Sequence, residues 1–226
     1  MHISTGISSE RWSTRLIDRL AYAHDASMYR LVPEAVVRPE SESEVQSLLD
    51  HANNSKTSVT FRTAGTSLSG QSITEGIIAE VIRGWEDYEL LNQGQSIRLS
   101  PGVNGARANL YLSPFQKRIG PDPASINAAR MGGIISNNSS GMVCGVKHNA
   151  YHTMKHIRFM LANGRIYDTR NSEDYGRFVS EESTLSEGIL ACKSEIESKE
   201  QIRDFLETDK QAVIGQFERW WDKYKV

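Results

Sequence analysis

The chain is short of most features that would mark a specialised class of protein. Cysteine occurs only at Cys144 and Cys192. Neither sits in a CxxC or Cys/His spacing, which excludes a disulfide framework and a zinc module and suits a reducing compartment. Charge of one sign is not in excess. Lys and Arg number 26 against 28 Asp and Glu, for a formal net charge of −2. No global basic field is therefore available to attract nucleic acid or an acidic membrane. No apolar run approaches the ~18 residues of a membrane-spanning helix. The opening "MHISTGISSERW" lacks a basic start followed by an apolar stretch, so no secretory leader is expected. Two nucleotide motifs are also missing: there is no GxxxxGK[ST] and no GxGxxG after a strand. What remains is an ordinary globular composition, 38% apolar and 24% charged, over 226 residues. That length provides one large domain or two small ones.

Apolar spacing predicts a helix over 9–23, with Trp12, Leu16, Leu20 and Ala23 on one side. "EAVVRP" reads as a strand closed by Pro39. A helix follows, with Ser41 and Glu44 at capping-box spacing and Val45, Leu48, Leu49 and Ala52 as its apolar face. Strands are expected at 57–61, 76–82 and 95–102, then a helix from about Val103 interrupted near Pro114. "MLANGRIYDT" reads as a hairpin turning at Asn163-Gly164. Residues 181–226 are charged and helical in texture. Helices and strands mix without strict alternation, so the expected class is α+β, not a doubly wound dinucleotide fold.

Two stretches expose backbone and little else. "RTAGTSLSGQ" follows a strand and carries one charge, Arg62, in ten positions. Gly65 and Gly70 permit positive φ and close approach, and consecutive N–H groups in such a turn form an anion site. Thr66, Ser67 and Ser69 add hydroxyls. Hydrogen bonds to a charged partner contribute about 1.5–3 kcal/mol each, so four or five could hold a pyrophosphate without a lysine. A solvated loop without a ligand explains the same composition equally well. The second stretch, "GPDPASINAARMGGIISNNSSG", begins at Gly120. Ser125 is expected to N-cap a short helix with Gly132 at its C′ end. Two such stretches after ordered elements suggest one extended ligand held from two sides.

These blocks carry a resemblance. The chain resembles the flavin-binding domain of the vanillyl-alcohol oxidase and p-cresol methylhydroxylase (PCMH) superfamily, closest to the cytochrome-type D-lactate dehydrogenase and glycolate oxidase branch. "DASMYRLVPEAVVRPESESEV", "RTAGTSLSGQ", "GPDPAS", "MGGIISNNSSGMVCG" and "MLANGRIYDT" match it in order, over about residues 22 to 170. The resemblance implies a PCMH-type α+β fold of two subdomains, with a flavin domain at 22–180 and a helical segment at 181–226. It implies FAD held by its diphosphate. It assigns Thr63, Ala64, Gly65, Thr66, Ser67, Leu68, Ser69 and Gly70 to the first contact. It assigns Pro121, Asp122, Ser125, Gly132, Gly133, Asn137 and Gly141 to the second. No histidine lies between Arg62 and Gln71, where relatives that tether FAD often carry one, so noncovalent flavin is expected.

The implied activity is oxidation of a small 2-hydroxyacid of the D-lactate type by hydride transfer to flavin, with a separate electron acceptor. The implied location is cytoplasmic, at most peripheral at the inner membrane. The family's second flavin-contacting segment and substrate cap have no match after "WWDKYKV", so this stretch is expected to be C-terminally incomplete and to bind flavin without turnover. A degenerate domain with weak or no flavin binding is the alternative.

Other candidates carry less. His148, His152 and His156 share a four-residue spacing that would align them on a helix and invite a metal, but their neighbours favour strand or loop, and the resemblance implies a strand there. Cys144 reads as a small buried thiol, and Trp220-Trp221 as helix packing. Arg62 and Lys147 either pair with phosphate or solvate loop edges. Asp168 and Asp174 read as solvated turn residues.

Overall fold

A computed structural model describes residues 6–141 and 146–198. It divides into two compact units, the first running through Ile166 and the second beginning at Tyr167.

Within the first unit, local sequence signals set the main helix. Ser41, in extended conformation, accepts a hydrogen bond from the Glu44 amide and starts α2 (Glu42–Ser55). Val45, Leu48, Leu49 and Ala52 all lie on its buried face, as the spacing predicts. Burying each large aliphatic side chain contributes about 1.5–3 kcal/mol. The helix ends at Lys56, which turns into the left-handed region at φ 57 and donates its amide to the Ala52 carbonyl. Only half of the capping box forms. The Glu44 carboxylate accepts from the Glu40 amide at 2.7 Å and is gripped by Arg11 through both guanidinium ends, at 2.6 and 2.5 Å.

The helix connects β2 (Ala35–Val37) to β3 (Val59–Arg62), and β4 (Ile77–Glu80) lies between them, parallel to both. β1 (Trp12–Ser13) pairs antiparallel with β2, giving the order β1-β2-β4-β3. The two central strands are buried along almost their whole length, and β3 is a partly exposed edge. Continuous apolar runs suit strands covered on both faces. The core here unites Ile7, Ala35, Val37, Leu48, Ile77 and Ala79, with Trp12 packed against it.

This packing corrects the helix expected over 9–23. Trp12 enters the sheet opposite Val37 and meets the His51 ring edge-on at 5.3 Å. Only α1 (Leu16–Ala21) is helical, and its Leu16 and Ile17 are exposed. Strand pairing of Trp12 outweighs the local helical spacing.

A second core gathers around α3 (Gly105–Leu112) and α4 (Met131–Ser136), from Val103, Ala108, Ala129, Met131, Ile134 and Ala150. Two cores in one unit match the expected pair of α+β subdomains. α3 passes into a 3₁₀ turn at Ser113–Phe115, where Pro114 was expected to interrupt it. Before α3 lies an antiparallel ribbon of β5 (Tyr88–Leu91) and β6 (Ser96–Leu99). β6 was expected and β5 was not. Its turn places Asn92 and Gln93 at positive φ before Gly94, and Gln is a rare occupant of that conformation. Gly94 itself is required because a side chain there would meet the Phe115 ring.

After the short α5 (Ala150–Thr153), the hairpin expected around Asn163-Gly164 is present. β7 (Arg158–Met160) and β8 (Ile166–Asp168) pair, with Gly164 at φ 79. Its turn is held onto α2: Gln46 Nε2 donates to the Gly164 carbonyl at 2.8 Å and Asn53 Nδ2 to the Ala162 carbonyl at 3.0 Å.

The second unit contains α6 (Ser172–Glu181) and α7 (Ser183–Ser198). Asp168 and Asp174, expected as solvated turn residues, are both buried. The Asp174 carboxylate accepts the Asp168 amide at 2.8 Å and pairs with Arg177, while Asp168 is chelated by Arg170. They form the N-terminal anchor of α6, a helix the sequence reading did not anticipate. α7 bears out the helical texture after 181 as far as Ser198. Trp220, Trp221 and Cys144 lie outside the described residues.

The Arg11–Glu44 fork gives a prediction. The Arg11 guanidinium, aided by the Glu40 amide and opposed by burial, holds the Glu44 carboxyl below its ordinary pKa. A depressed folded-state pKa contributes stability above the unfolded value, near 4.3, and loses it as pH falls through the folded value. Glu44→Gln is expected to cost about 1.5 kcal/mol at pH 7. The gap from the natural protein should close as pH drops below the ordinary glutamate range. Urea unfolding of both proteins between pH 7 and pH 3 measures it, and a constant gap would contradict the assignment.

Candidate functional site

β3 and β4 are parallel neighbours in sequence, so the chain must return along the sheet between Arg62 and Ile77. Residues 63–70 begin that return. Thr63 to Ser67 are half-buried, Leu68 is 79% exposed and Ser69 is exposed. The loop is shaped from behind. Gly65 adopts φ +65, and its carbonyl accepts the Ala26 amide at 3.1 Å. Arg62 lies against it: a side chain on Gly65 would collide with the guanidinium. Ser67 Oγ accepts the amides of Ser69 and Gln71, both at 3.2 Å. Gly70, at φ +74, faces the Tyr29 ring. The Ser72 hydroxyl donates to Asp25 at 3.1 Å. Burial opposes ionisation of Asp25, but hydrogen bonds from Ser27 and Ser72 prevail and hold its pKa below the ordinary value.

The main-chain N–H groups of Ala64, Gly65, Thr66, Ser67 and Leu68 have no acceptor among the described residues. A run of unpaired backbone donors beside hydroxyl side chains is suited to an anion.

The second stretch approaches this loop. The structure corrects the helix expected from Ser125. Residues 124–128 form turns, with the Ser125 carbonyl accepting from Ala128 and Ala129. The helix, α4, starts later, so Gly132 and Gly133 are in its first turn and not at its end. The reason is tertiary. The Met131 amide donates to Val103 and the Gly132 amide to Pro101, so backbone from before α3 fixes where α4 begins.

The glycines then separate by cause. A side chain on Gly132 would press on Pro101 at 2.9 Å. One on Gly141, at φ +91, would collide with the Asp122 carbonyl. There the chain doubles back: the Asp122 amide donates to Ser140 at 2.8 Å and Asp122 bridges Gly141. Gly133 differs. It is exposed, its N–H has no acceptor among the described residues, and the nearest atom to an added methyl would be Thr63 Oγ1 at 3.4 Å. The first loop and α4 therefore meet at Thr63 and Gly133. Of the remaining residues of the second stretch, Asn137 is exposed at the end of α4 and Pro121 is buried. Asp122 holds Arg118 at 2.8 Å.

Several candidates fall elsewhere or on other duties. Arg62 donates to the Tyr22 carbonyl at 3.1 Å and to Ser72, so it does not solvate a loop edge. Lys147 is exposed in a turn. Of the stretch expected as strand or loop, His148 is in a turn, His152 lies within the short helix α5 with its ring on Asn149, and His156 is in a loop before β7. No metal-binding cluster occurs among the described residues, and no helix there is long and apolar enough to cross a membrane. Residues the sequence reading missed lie under the first loop: Tyr22, Asp25 and Glu80. The available signal was Arg62, a lone charge that needed a partner.

Comparison with known proteins gives this geometry a context. A protein-family profile described as "FAD binding domain" matches residues 33–170. Among curated relatives, D-2-hydroxyglutarate dehydrogenase of Pantoea ananatis (strain AJ13355) is 33% identical over 70% of this chain and 16% of its own length. Glycolate oxidase subunit GlcD of Escherichia coli (strain K12) is 27% identical over 76% of this chain and 36% of its own. D-lactate dehydrogenase of Archaeoglobus fulgidus is 28% identical over 81% of this chain and 44% of its own. The chain thus spans about a sixth of the D-2-hydroxyglutarate dehydrogenase it matches.

Among solved structures, 6-hydroxy-D-nicotine oxidase from Arthrobacter nicotinovorans superposes with a TM-score of 0.63 at 15% identity, over 74% of this chain and 37% of that one. An alkyldihydroxyacetonephosphate synthase gives 0.62 at 16% identity, over 74% and 33%. At that identity the likeness concerns the fold alone, and it bears out the expected α+β architecture. With the profile spanning more than half of the residues, this chain belongs to the FAD binding domain family.

Proposed function

We propose that residues 22–180 hold FAD noncovalently by its diphosphate, as the flavin domain of an FAD-dependent 2-hydroxyacid dehydrogenase. The observation that carries this reading is Gly133. Among the described residues its missing side chain is not explained by packing and its N–H has no acceptor, and it adjoins Thr63 at the start of a row of backbone donors without acceptors there. A diphosphate fits that donor set. It needs close backbone approach and several N–H partners, and a β-carbon on Gly133 would occupy the approach. Thr63, Ala64, Gly65, Thr66, Ser67, Leu68, Ser69 and Gly70 would line one side. Gly132, Gly133 and Asn137 would line the other, with Pro121, Asp122, Ser125 and Gly141 holding the turn that supports it. Bound flavin supplies a hydride acceptor. The protein's part is to orient it and to bury its phosphates away from bulk solvent. The substrate class follows the relatives, whose names specify D-2-hydroxyglutarate, glycolate and D-lactate, all 2-hydroxyacids. Noncovalent attachment is supported by the lack of a histidine in 62–71.

Two outcomes are expected. In calorimetric titration ADP should compete with FAD, since both present a diphosphate to the same donors, and acid precipitation should release all flavin into the supernatant. FAD binding indifferent to ADP, or flavin remaining on the precipitate, would contradict the reading.

Substitutions at the two kinds of glycine should part company. Gly133→Val should abolish FAD binding while the protein stays folded. Gly133→Ala should weaken binding and, by helix propensity, leave stability unchanged or raised by up to ~1 kcal/mol. Gly141→Ala should instead lower the melting temperature sharply, because its φ and the Asp122 carbonyl both refuse a side chain. Folded Gly133→Val with undiminished FAD affinity would remove Gly133 from the site.

A further inference from the structure

Arg62 is half-buried and lies directly behind Gly65. Its Nη1 donates to the carbonyls of Tyr22 and Ser72, and its guanidinium sits 5.2 Å from the centre of the Tyr22 ring. Arg38 is 5.6 Å from the same ring, so two cations flank one tyrosine. The Tyr22 hydroxyl donates to Glu80, and Arg38 Nε pairs with that carboxylate at 3.1 Å. Arg38 therefore has its counter-ion. Arg62 has none: among the described residues no carboxylate comes within ion-pair distance of it. Burial pushes its pKa down, opposed by Tyr22, Asp25 and Glu80, yet an arginine remains charged at neutral pH. A half-buried charge with carbonyl partners but no carboxylate at ion-pair distance is less fully compensated than Arg38 beside Glu80. Here it is directed at a backbone turn whose N–H groups are also unpaired.

We propose that Arg62 is a positioning residue of the first loop, fixing the left-handed turn at Gly65 and giving the loop its preference for a polyanionic ligand such as a nucleotide diphosphate. Two separable properties are involved. The planar guanidinium fork, whose Nη1 donates to two carbonyls and whose centre lies 5.2 Å from that of the Tyr22 ring, holds the turn. The charge, which has no carboxylate at ion-pair distance among the described residues, adds a field that favours anions without requiring a direct contact. This explains how a loop with one charge in ten residues can accept a diphosphate. The inference rests on reading residues 63–70 as a phosphate cradle.

The test uses the full chain with Arg62→Met, which removes fork and charge, and Arg62→Lys, which keeps the charge alone. Affinities for FAD, ADP and riboflavin, which lacks phosphate, are measured together with amide exchange of residues 64–69 in ligand-free protein. Arg62→Met is expected to weaken FAD and ADP at least about tenfold while sparing riboflavin, and to accelerate exchange of those amides. Arg62→Lys should recover part of the ADP affinity with exchange still fast. A folded Arg62→Met with natural FAD and ADP affinity would overturn the proposal. If Arg62→Met does not fold, Arg62→Lys decides: natural affinity and natural exchange would overturn it. Should the unaltered protein bind neither FAD nor ADP, the phosphate-cradle reading fails, and exchange alone then judges the positioning role, unchanged rates refuting it.

Discussion

The parallel pairing of β3 with β4 imposes the constraint on which the site depends. Two consecutive parallel strands must be joined by a connection that runs back along the sheet, and such crossovers are usually helices. The connection here is residues 63–76, which contains no helix or strand. It leaves the end of an edge strand, and much of its early backbone finds no partner in the sheet. Ordinarily such a segment would be satisfied by water. This one is tied down by Ala26 at the Gly65 carbonyl and by Asp25 at Ser72, with Arg62 behind Gly65.

A second consequence concerns the subdomain that faces this loop. The start of α4 is set by main-chain bonds from Met131 and Gly132 to Val103 and Pro101. That placement brings Gly133 to Thr63. Glycine therefore serves three different purposes within a short distance. Gly132 yields to Pro101, Gly141 yields to the Asp122 carbonyl, and Gly133 meets only Thr63 among the described residues. Composition presents all three as equivalent. Their separation into packing glycines and one open glycine makes the flavin reading specific to a residue.

The relatives sharpen this without replacing it. They share a domain with this chain and carry much additional length. Structures near 15% identity retain the same fold, as expected where hydrogen-bonded register and burial pattern, and not particular side chains, define the architecture.

Much of this was legible from local sequence. Ser41 with Glu44 and the Val45–Ala52 face specify α2 through capping and 3.6-residue periodicity, both short-range effects. The β-branched runs of β2 and β4 specify buried strands, and Asn163-Gly164 specifies its turn by permitted dihedrals. The bare loop at 63–70 identified itself by lacking side chains. Tertiary structure decided the rest. Trp12 left a helical spacing because a strand partner and a core were available to it. α4 began at Met131, not near Ser125, because distant carbonyls accepted its first amides. Asp168 and Asp174 became buried because Arg170, Arg177 and a backbone amide compensated them. The hydrogen-bond acceptors of Arg62 were invisible in sequence because the Tyr22 and Ser72 carbonyls reach it only in the folded chain. Periodicity and capping act within a few residues of chain, whereas desolvation and main-chain pairing depend on what the fold brings alongside.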